Sequence, residues 1–117
     1  MILITRPYKQ AIQTALTFEC KGFKTCVEPL LSITQQPANF KYGPHTHLFI
    51  TSANALENEN IPLHLPALCV GETTAACARQ KGFTKVITPH LPHARVEEAL
   101  TWLISNRQHI KDDVLYL

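Results

Sequence analysis

Short apolar runs recur along the chain, and most of them end in small polar residues or in proline. They are MILIT (1–5), LFIT (48–51), ALCVG (67–71), KVITP (85–89) and DVLYL (113–117). The runs are rich in Ile, Leu and Val and do not alternate strictly with polar residues, a pattern typical of strands that are covered on both faces. We therefore predict a β-strand at each run.

Helical periodicity occupies the intervals between most of these runs. Apolar residues at spacings of three and four predict helices over residues 8–21, 53–58, 72–81 and 96–109. Strands and helices that alternate in this way predict an α/β fold, in which a parallel sheet carries helices on both faces and is connected by right-handed crossovers.

One helix-to-strand corner occurs twice. The segments CKGFKTCVEP (20–29) and QKGFTKVITP (80–89) share a helix end, a Lys-Gly-Phe sequence, a strand and a proline. Glycine at such a position favours the left-handed conformation that ends a helix, and we expect the phenylalanine to fold back onto the helix that it follows.

Residues 28–46 interrupt the alternation of strands and helices. Their prolines and Gly43 disfavour a helix. We therefore predict an N-terminal β-α-β unit over residues 1–28, a connector over 29–46 and a main α/β domain over 47–117.

The composition is that of an ordinary globular protein. The 117 residues include 45% apolar and 17% charged side chains, and the net charge of +2 gives no electrostatic reason to expect nucleic-acid binding. The apolar start MILI is too short for a signal peptide or a membrane span, so we expect a cytoplasmic protein that binds no membrane. In that compartment the cysteines are expected to be reduced core thiols; they are Cys20, Cys26, Cys69 and Cys77.

Ligands of open α/β sheets bind at the carboxyl ends of the strands. The predicted turns at those ends are residues 5–7, 51–54, 71–74 and 89–92. The first three combine small residues, hydroxyl groups and exposed helix-start amides, which favour anions. Each turn taken singly is better explained as a helix cap, but three of them on one rim favour an anion-binding edge.

Motifs for other chemistries are missing from the sequence. Residues 71–74 match neither a dinucleotide fingerprint nor a phosphate loop, and no GxSxG or HExxH motif occurs. His45 and His47 have no further metal ligand at a suitable spacing, and neither do His90 and His93. We expect no metal and no cofactor.

Five segments together resemble uroporphyrinogen-III synthase. They are ITRP (4–7), EPLL (28–31), FITSANALE (49–57), CVGETTAA (69–76) and VLYL (114–117). Each segment is short, but their order and separations are fairly specific. The resemblance extends over the whole chain and corresponds to the first half of the family pattern.

This resemblance implies two α/β domains joined by a two-stranded connector, with a substrate cleft between them. It also implies a cytoplasmic, cofactor-free reaction in haem and tetrapyrrole biosynthesis. In that reaction linear hydroxymethylbilane loses water and closes to uroporphyrinogen III with its last ring inverted. The substrate is a small molecule with many carboxylates, and the implied contacts with it are Thr5, Arg6, Thr51, Ser52, Ala53, Asn54, Gly71, Thr73 and Thr74. No catalytic residue is implied, because the tyrosine proposed as the general acid belongs to the second half of the family pattern.

Two expectations follow from a match to half of the pattern. The N-terminal β-α-β unit would expose the apolar face of its helix and its strand edges, so the chain would form a homodimer, fold this unit onto its own body or be part of a longer product. An alternative function is a non-catalytic remnant that binds acidic tetrapyrroles or a partner protein.

A flavodoxin-like or receiver module is disfavoured, because Asp112 and Asp113 precede the last strand and so lie at its wrong end.

Overall fold

The computed structural model describes residues 1–37, 39–44, 46–108, 110 and 113–117. The chain divides into two compact units, Met1–Gln35 and Gln36–Leu117. The division falls inside the segment 29–46, for which the sequence predicts a connector.

The first unit is a β-α-β element. Strand β1 (Ile2–Ile4) leads into helix α1 (Tyr8–Glu19), which returns the chain to strand β2 (Thr25–Val27), parallel to β1. A crossover helix is what permits two consecutive strands to run parallel. The small core of this unit is formed by Ile2, Ile4, Ala11, Ala15 and Val27.

The same corner ends both α1 and helix α2 (Glu72–Lys81). Gly22 and Gly82 have φ angles of 84° and 107°, in the left-handed region that favours glycine. The amide of Phe23 donates to the carbonyl of Phe18 at 3.1 Å, and the amide of Phe83 makes the equivalent bond at 3.2 Å. The rings of Phe18 and Phe23 meet edge to face with their centroids 6.0 Å apart. The predicted corner is confirmed, although α1 ends two residues earlier than expected.

The second unit contains a four-stranded sheet in which every neighbouring pair is parallel. Its strands are β3 (His47–Ile50), β4 (Ala67–Cys69), β5 (Val86–Ile87) and β6 (Val114–Tyr116), in the spatial order β5-β4-β3-β6. The predicted α/β class with a parallel sheet is confirmed.

Helices cover both faces of this sheet. One face packs against α2 and a 3-10 helix (Ala53–Glu57), and its core includes Leu48, Ile50, Ala67, Cys69, Ala75 and Ala78. The other face packs against helix α3 (Val96–Ser105), and its core includes Phe49, Leu68, Val70, Ala99 and Trp102. Burial on both sides explains why the strand sequences are continuously apolar.

The strand order reverses once along the chain. From β3 the chain moves outward to β4 and then to β5, and after α3 it returns to place β6 on the opposite side of β3. The reversal creates a topological switch point between β3 and β6. In open α/β sheets the carboxyl-end crevice at such a point is the usual ligand site.

Helix α3 is shorter than the predicted span 96–109. It ends at Ser105, and the side-chain amide of Asn106 donates to the carbonyl oxygen of Trp102 at 2.8 Å. An asparagine side chain that bonds to the backbone in this way competes with continuation of the helix. Ile110 lies beyond the helix but is buried, and His109 is outside the described residues.

Surface exposure confirms one expectation and corrects another. Leu3, Ile12 and Leu16 of the first unit are all exposed, which agrees with the expected exposure of an apolar helix face and strand in this unit. The prediction of core thiols was wrong for Cys20, which is exposed because it follows the last residue of α1, whereas Cys69 on β4 is fully buried.

Candidate functional site

Two of the three predicted anion-binding turns lie on one rim of the second unit. Residues 51–54 follow β3 and residues 71–74 follow the neighbouring strand β4, so both stand at carboxyl ends of adjacent parallel strands. Thr5 and Arg6 follow β1 in the first unit. Of these turns, only residues 51–54 also border the switch point between β3 and β6.

Thr51 connects β3 to the end of β6. Its amide donates to the carbonyl oxygen of Leu117 at 3.3 Å, and its hydroxyl donates to the same oxygen at 3.2 Å. The amide of Leu117 in turn donates to the carbonyl of Phe49 at 2.9 Å. The parallel ladder therefore continues up to the rim, where Thr51 fixes the separation of the two strands that flank the switch point.

Ser52 acts as the cap of the 3-10 helix, which supports the capping explanation of this turn. Its Oγ accepts from the backbone amide of Asn54 and from the side-chain Nδ2 of Asn54, both at 3.2 Å. Both bonds use the serine oxygen as an acceptor, which leaves its O–H able to donate. Capping and donation to a carboxylate are thus compatible at Ser52, and Ala53 begins the helix that this cap stabilises.

Helix α2 begins without a capping side chain. Gly71 precedes it in an extended conformation, and the first helical bond runs from the amide of Ala75 to the carbonyl of Gly71 at 3.0 Å. The amides of the first turn therefore receive no side-chain cap, which is favourable for an anion. Thr73 is exposed at this turn, whereas Thr74 is buried.

One acidic group stands at the same helix start. The carboxylate of Glu72 forms an ion pair with the guanidinium of Arg79 at 2.7 Å, on the surface of α2. This pairing offsets part of the negative charge that Glu72 would present to an incoming carboxylate.

A cavity of about 500 Å³ opens where β4 and β5 end, one and two strands away from the switch point. It is lined by Val70, Gly71, Glu72, Thr88, Pro89, His90, Leu91, Pro92 and Ala94. The sequence marks residues 89–92 as a strand-end turn, but nothing in their residue types distinguishes them as cavity-lining. The cavity adds His90 and Thr88 to the polar groups near residue 71.

In the first unit, both predicted contacts already have partners. One guanidinium nitrogen of Arg6 donates to the hydroxyl of Thr14 on α1 at 3.1 Å. The carbonyl of Thr5 accepts from the amide of Leu30 at 3.2 Å. Arg6 is exposed, so its remaining donors face solvent.

Burial raises the pKa of the Cys69 thiol, at the end of β4, to about 11. The guanidinium of Arg79 opposes this shift, while Glu72 and Cys77 add to it. A thiol held in its protonated form is a poor nucleophile. Cys69 is therefore a core residue and not a candidate for covalent chemistry.

Among the residues that the structure describes, no three His, Cys, Asp or Glu side chains come together as a metal site. His45 and Asp112, both considered in the sequence, lie outside those residues. Within the same described part of the chain, no helix combines the length and apolar character needed to cross a membrane.

No protein-family model matches the chain, and no curated protein matches it. The resemblance to uroporphyrinogen-III synthase therefore rests on the five quoted segments.

Proposed function

We propose that the chain is a uroporphyrinogen-III synthase, which closes hydroxymethylbilane to uroporphyrinogen III in a cytoplasmic, cofactor-free step of tetrapyrrole biosynthesis. The observation that carries this proposal is the location of residues 51–54. They belong to FITSANALE, the longest segment of the resemblance, and they follow β3 beside the reversal of strand order. That is where sheets of this class bind ligands.

The rim offers donors that suit the acetate and propionate arms of a linear tetrapyrrole. The O–H of Ser52 and the uncapped amides that follow Gly71 can each donate to a carboxylate. The resemblance also implies Arg6 of the first unit as a contact with the substrate. Small side chains such as Ala53 and Gly71 let an arm approach the backbone itself.

Catalysis at these strand ends would consist mainly of holding the linear substrate in the geometry that leads to ring closure. Spontaneous closure joins the two ends of the linear substrate without inverting the last ring, whereas inversion passes through a strained spiro intermediate. A site that holds the chain curled favours the second route by orienting the reacting carbons. Backbone carbonyls and the substrate's own carboxylates would stabilise the cation that forms as water leaves.

The decisive experiment incubates this chain with freshly prepared hydroxymethylbilane and resolves the oxidised products by isomer. We expect an excess of the type III isomer over a control without protein. Ser52→Ala tests the rim, and Ser105→Ala, an exposed serine on α3, is the matched control. Formation of the type I isomer alone would contradict the proposal and favour the non-catalytic binding protein.

A further inference from the structure

Tyr116 presents an exposed aromatic ring beside the switch point. It is the last residue of β6, the residue is 60% exposed, and it pairs in register with Phe49 on β3. The two ring centroids are 5.4 Å apart, with an interplanar angle of 57°. Phe49 is fully buried against α3 and contacts the tyrosine ring, whereas Tyr116 itself remains largely exposed.

The strand ladder relates this ring to the rim of the proposed site. Thr51 lies two residues beyond Phe49 and still bonds to the strand that carries Tyr116, through Leu117. Side chains alternate between the two faces of a sheet, so Thr51 lies on the same face as Phe49 and Tyr116. Tyr116 is therefore a diagonal neighbour of Thr51, at a Cα separation of about 8 Å, from the spacing of adjacent strands and the rise of two residues.

The other two tyrosines have different surroundings. Tyr8 begins α1 in the first unit. Tyr42 packs against the imidazole of His64, with the ring centroids 5.7 Å apart. Of the three tyrosines, Tyr116 lies on the strand at which the chain reverses its order, and its ring contacts the fully buried ring of Phe49.

We propose that the exposed ring of Tyr116 is the contact for one pyrrole ring of the ligand; this inference rests on the proposed function. A pyrrole is a planar, electron-rich ring, and such rings bind aromatic side chains in offset or edge-to-face arrangements. Acetate and propionate arms on a ring held there would lie at the same rim as the O–H of Ser52. The ring supplies apolar contact that the hydroxyls and amides of residues 51–54 cannot supply.

Nuclear magnetic resonance can test this contact directly. The chain is labelled with 13C in its tyrosine rings and titrated with a monopyrrole that carries one acetate and one propionate arm. We expect the ring signals of Tyr116 to move by the ring current of the stacked pyrrole, while those of Tyr8 and Tyr42 stay in place. Shifts confined to Tyr8 or Tyr42, or no shift of any of the three, would overturn the inference.

Two variants of Tyr116 distinguish the contribution of its aromatic ring to binding from that of its hydroxyl, and a third variant is the control. Tyr116→Phe keeps the ring, and we expect its affinity for the monopyrrole to stay within twofold of the parent chain. Tyr116→Leu removes the ring, and we expect a loss of roughly three- to tenfold. Tyr42→Leu, the matched control at the other end of the sheet, should bind normally.

The outcomes distinguish this inference from the function on which it rests. Normal affinity in Tyr116→Leu, or equal losses in Tyr116→Phe and Tyr116→Leu, would overturn the ring contact. If the parent chain still formed excess type III isomer, the proposed function would survive that result. Absence of both monopyrrole binding and type III formation in the parent chain would overturn the two together.

Discussion

The hydroxyl of Thr51 donates to the carbonyl oxygen of Leu117 at 3.2 Å, and the amide of Thr51 donates to the same oxygen at 3.3 Å. Thr51 therefore supplies two of the bonds that hold the carboxyl ends of β3 and β6 together, beside the bond from the amide of Leu117 to the carbonyl of Phe49. We expect Thr51→Val to remove the hydroxyl bond and lower the free energy of unfolding by about 1 kcal/mol. Hydrogen exchange at the Leu117 amide should become faster.

Thr84→Val is the control for this change, because Thr84 is an exposed residue away from the β3–β6 ladder. Urea unfolding of the two variants gives the comparison. Equal stability of Thr51→Val and Thr84→Val would mean that the hydroxyl of Thr51 adds nothing to the backbone bond.

Ser52 can be tested in a way that separates its capping role from ligand binding. Ser52→Ala removes a side-chain cap and should lower the free energy of unfolding by about 1 kcal/mol, whereas Ser52→Gly should lower it by only a few tenths. If Ser52 also donates to a substrate carboxylate, both variants should lose type III formation to a similar extent. If the loss of type III product in the two variants instead followed their loss of stability, Ser52 would act only as a cap.

Much of the local structure follows from the sequence, because it depends on neighbouring residues. The strands β3 and β4 arise from apolar runs that are buried on both faces, and Gly22 and Gly82 adopt the left-handed conformation that their positions predict. The end of α3 was less predictable. Apolar periodicity continues past Ser105, but the bond from the Asn106 side chain to Trp102 ends the helix.

The relative importance of the rim turns could not be read from the sequence. Residues 51–54 and 71–74 have similar composition, and only the placement of β6 next to β3 identifies the first turn as the one at the switch point. That placement depends on where a crossover ends, which no local pattern encodes. The contact between Tyr116 and Phe49 could not be predicted for the same reason, because the two residues are distant in sequence.

The exposed face of α1 predicts self-association. Leu16 is 56% exposed and Ile12 is also exposed, on a helix whose neighbouring face is buried through Ala11 and Ala15. We expect the chain to dimerise through this apolar face, and Leu16→Lys to shift it towards the monomer. Sedimentation velocity over a range of concentrations measures the shift.

Gln13→Lys is the control for the positive charge that Leu16→Lys introduces, since it adds the same charge at an exposed polar residue of the same helix. It should leave the dimer intact. A parent chain that stays monomeric at high concentration, with α1 well protected from hydrogen exchange, would contradict dimerisation through this face.

Cys69 predicts a loss of stability in alkaline solution. Burial raises the pKa of its thiol from 9.0 to about 11. In the unfolded chain the thiol ionises near its ordinary pKa, while the folded chain still holds the proton. The stabilisation is therefore complete below pH 9 and is lost as the pH rises towards 11. By linkage, two pKa units correspond to about 2–3 kcal/mol.

Replacement of Cys69 by alanine separates this effect from the titration of lysines and tyrosines. Cys69→Ala leaves a small cavity and should be less stable at pH 7, but its stability should fall less steeply between pH 9 and pH 11 than that of the parent chain. Cys20→Ala, at an exposed position, should keep the parent's slope. Parallel profiles for the parent chain and Cys69→Ala would show that the buried thiol does not control alkaline stability, since a raised pKa must appear as a difference in slope.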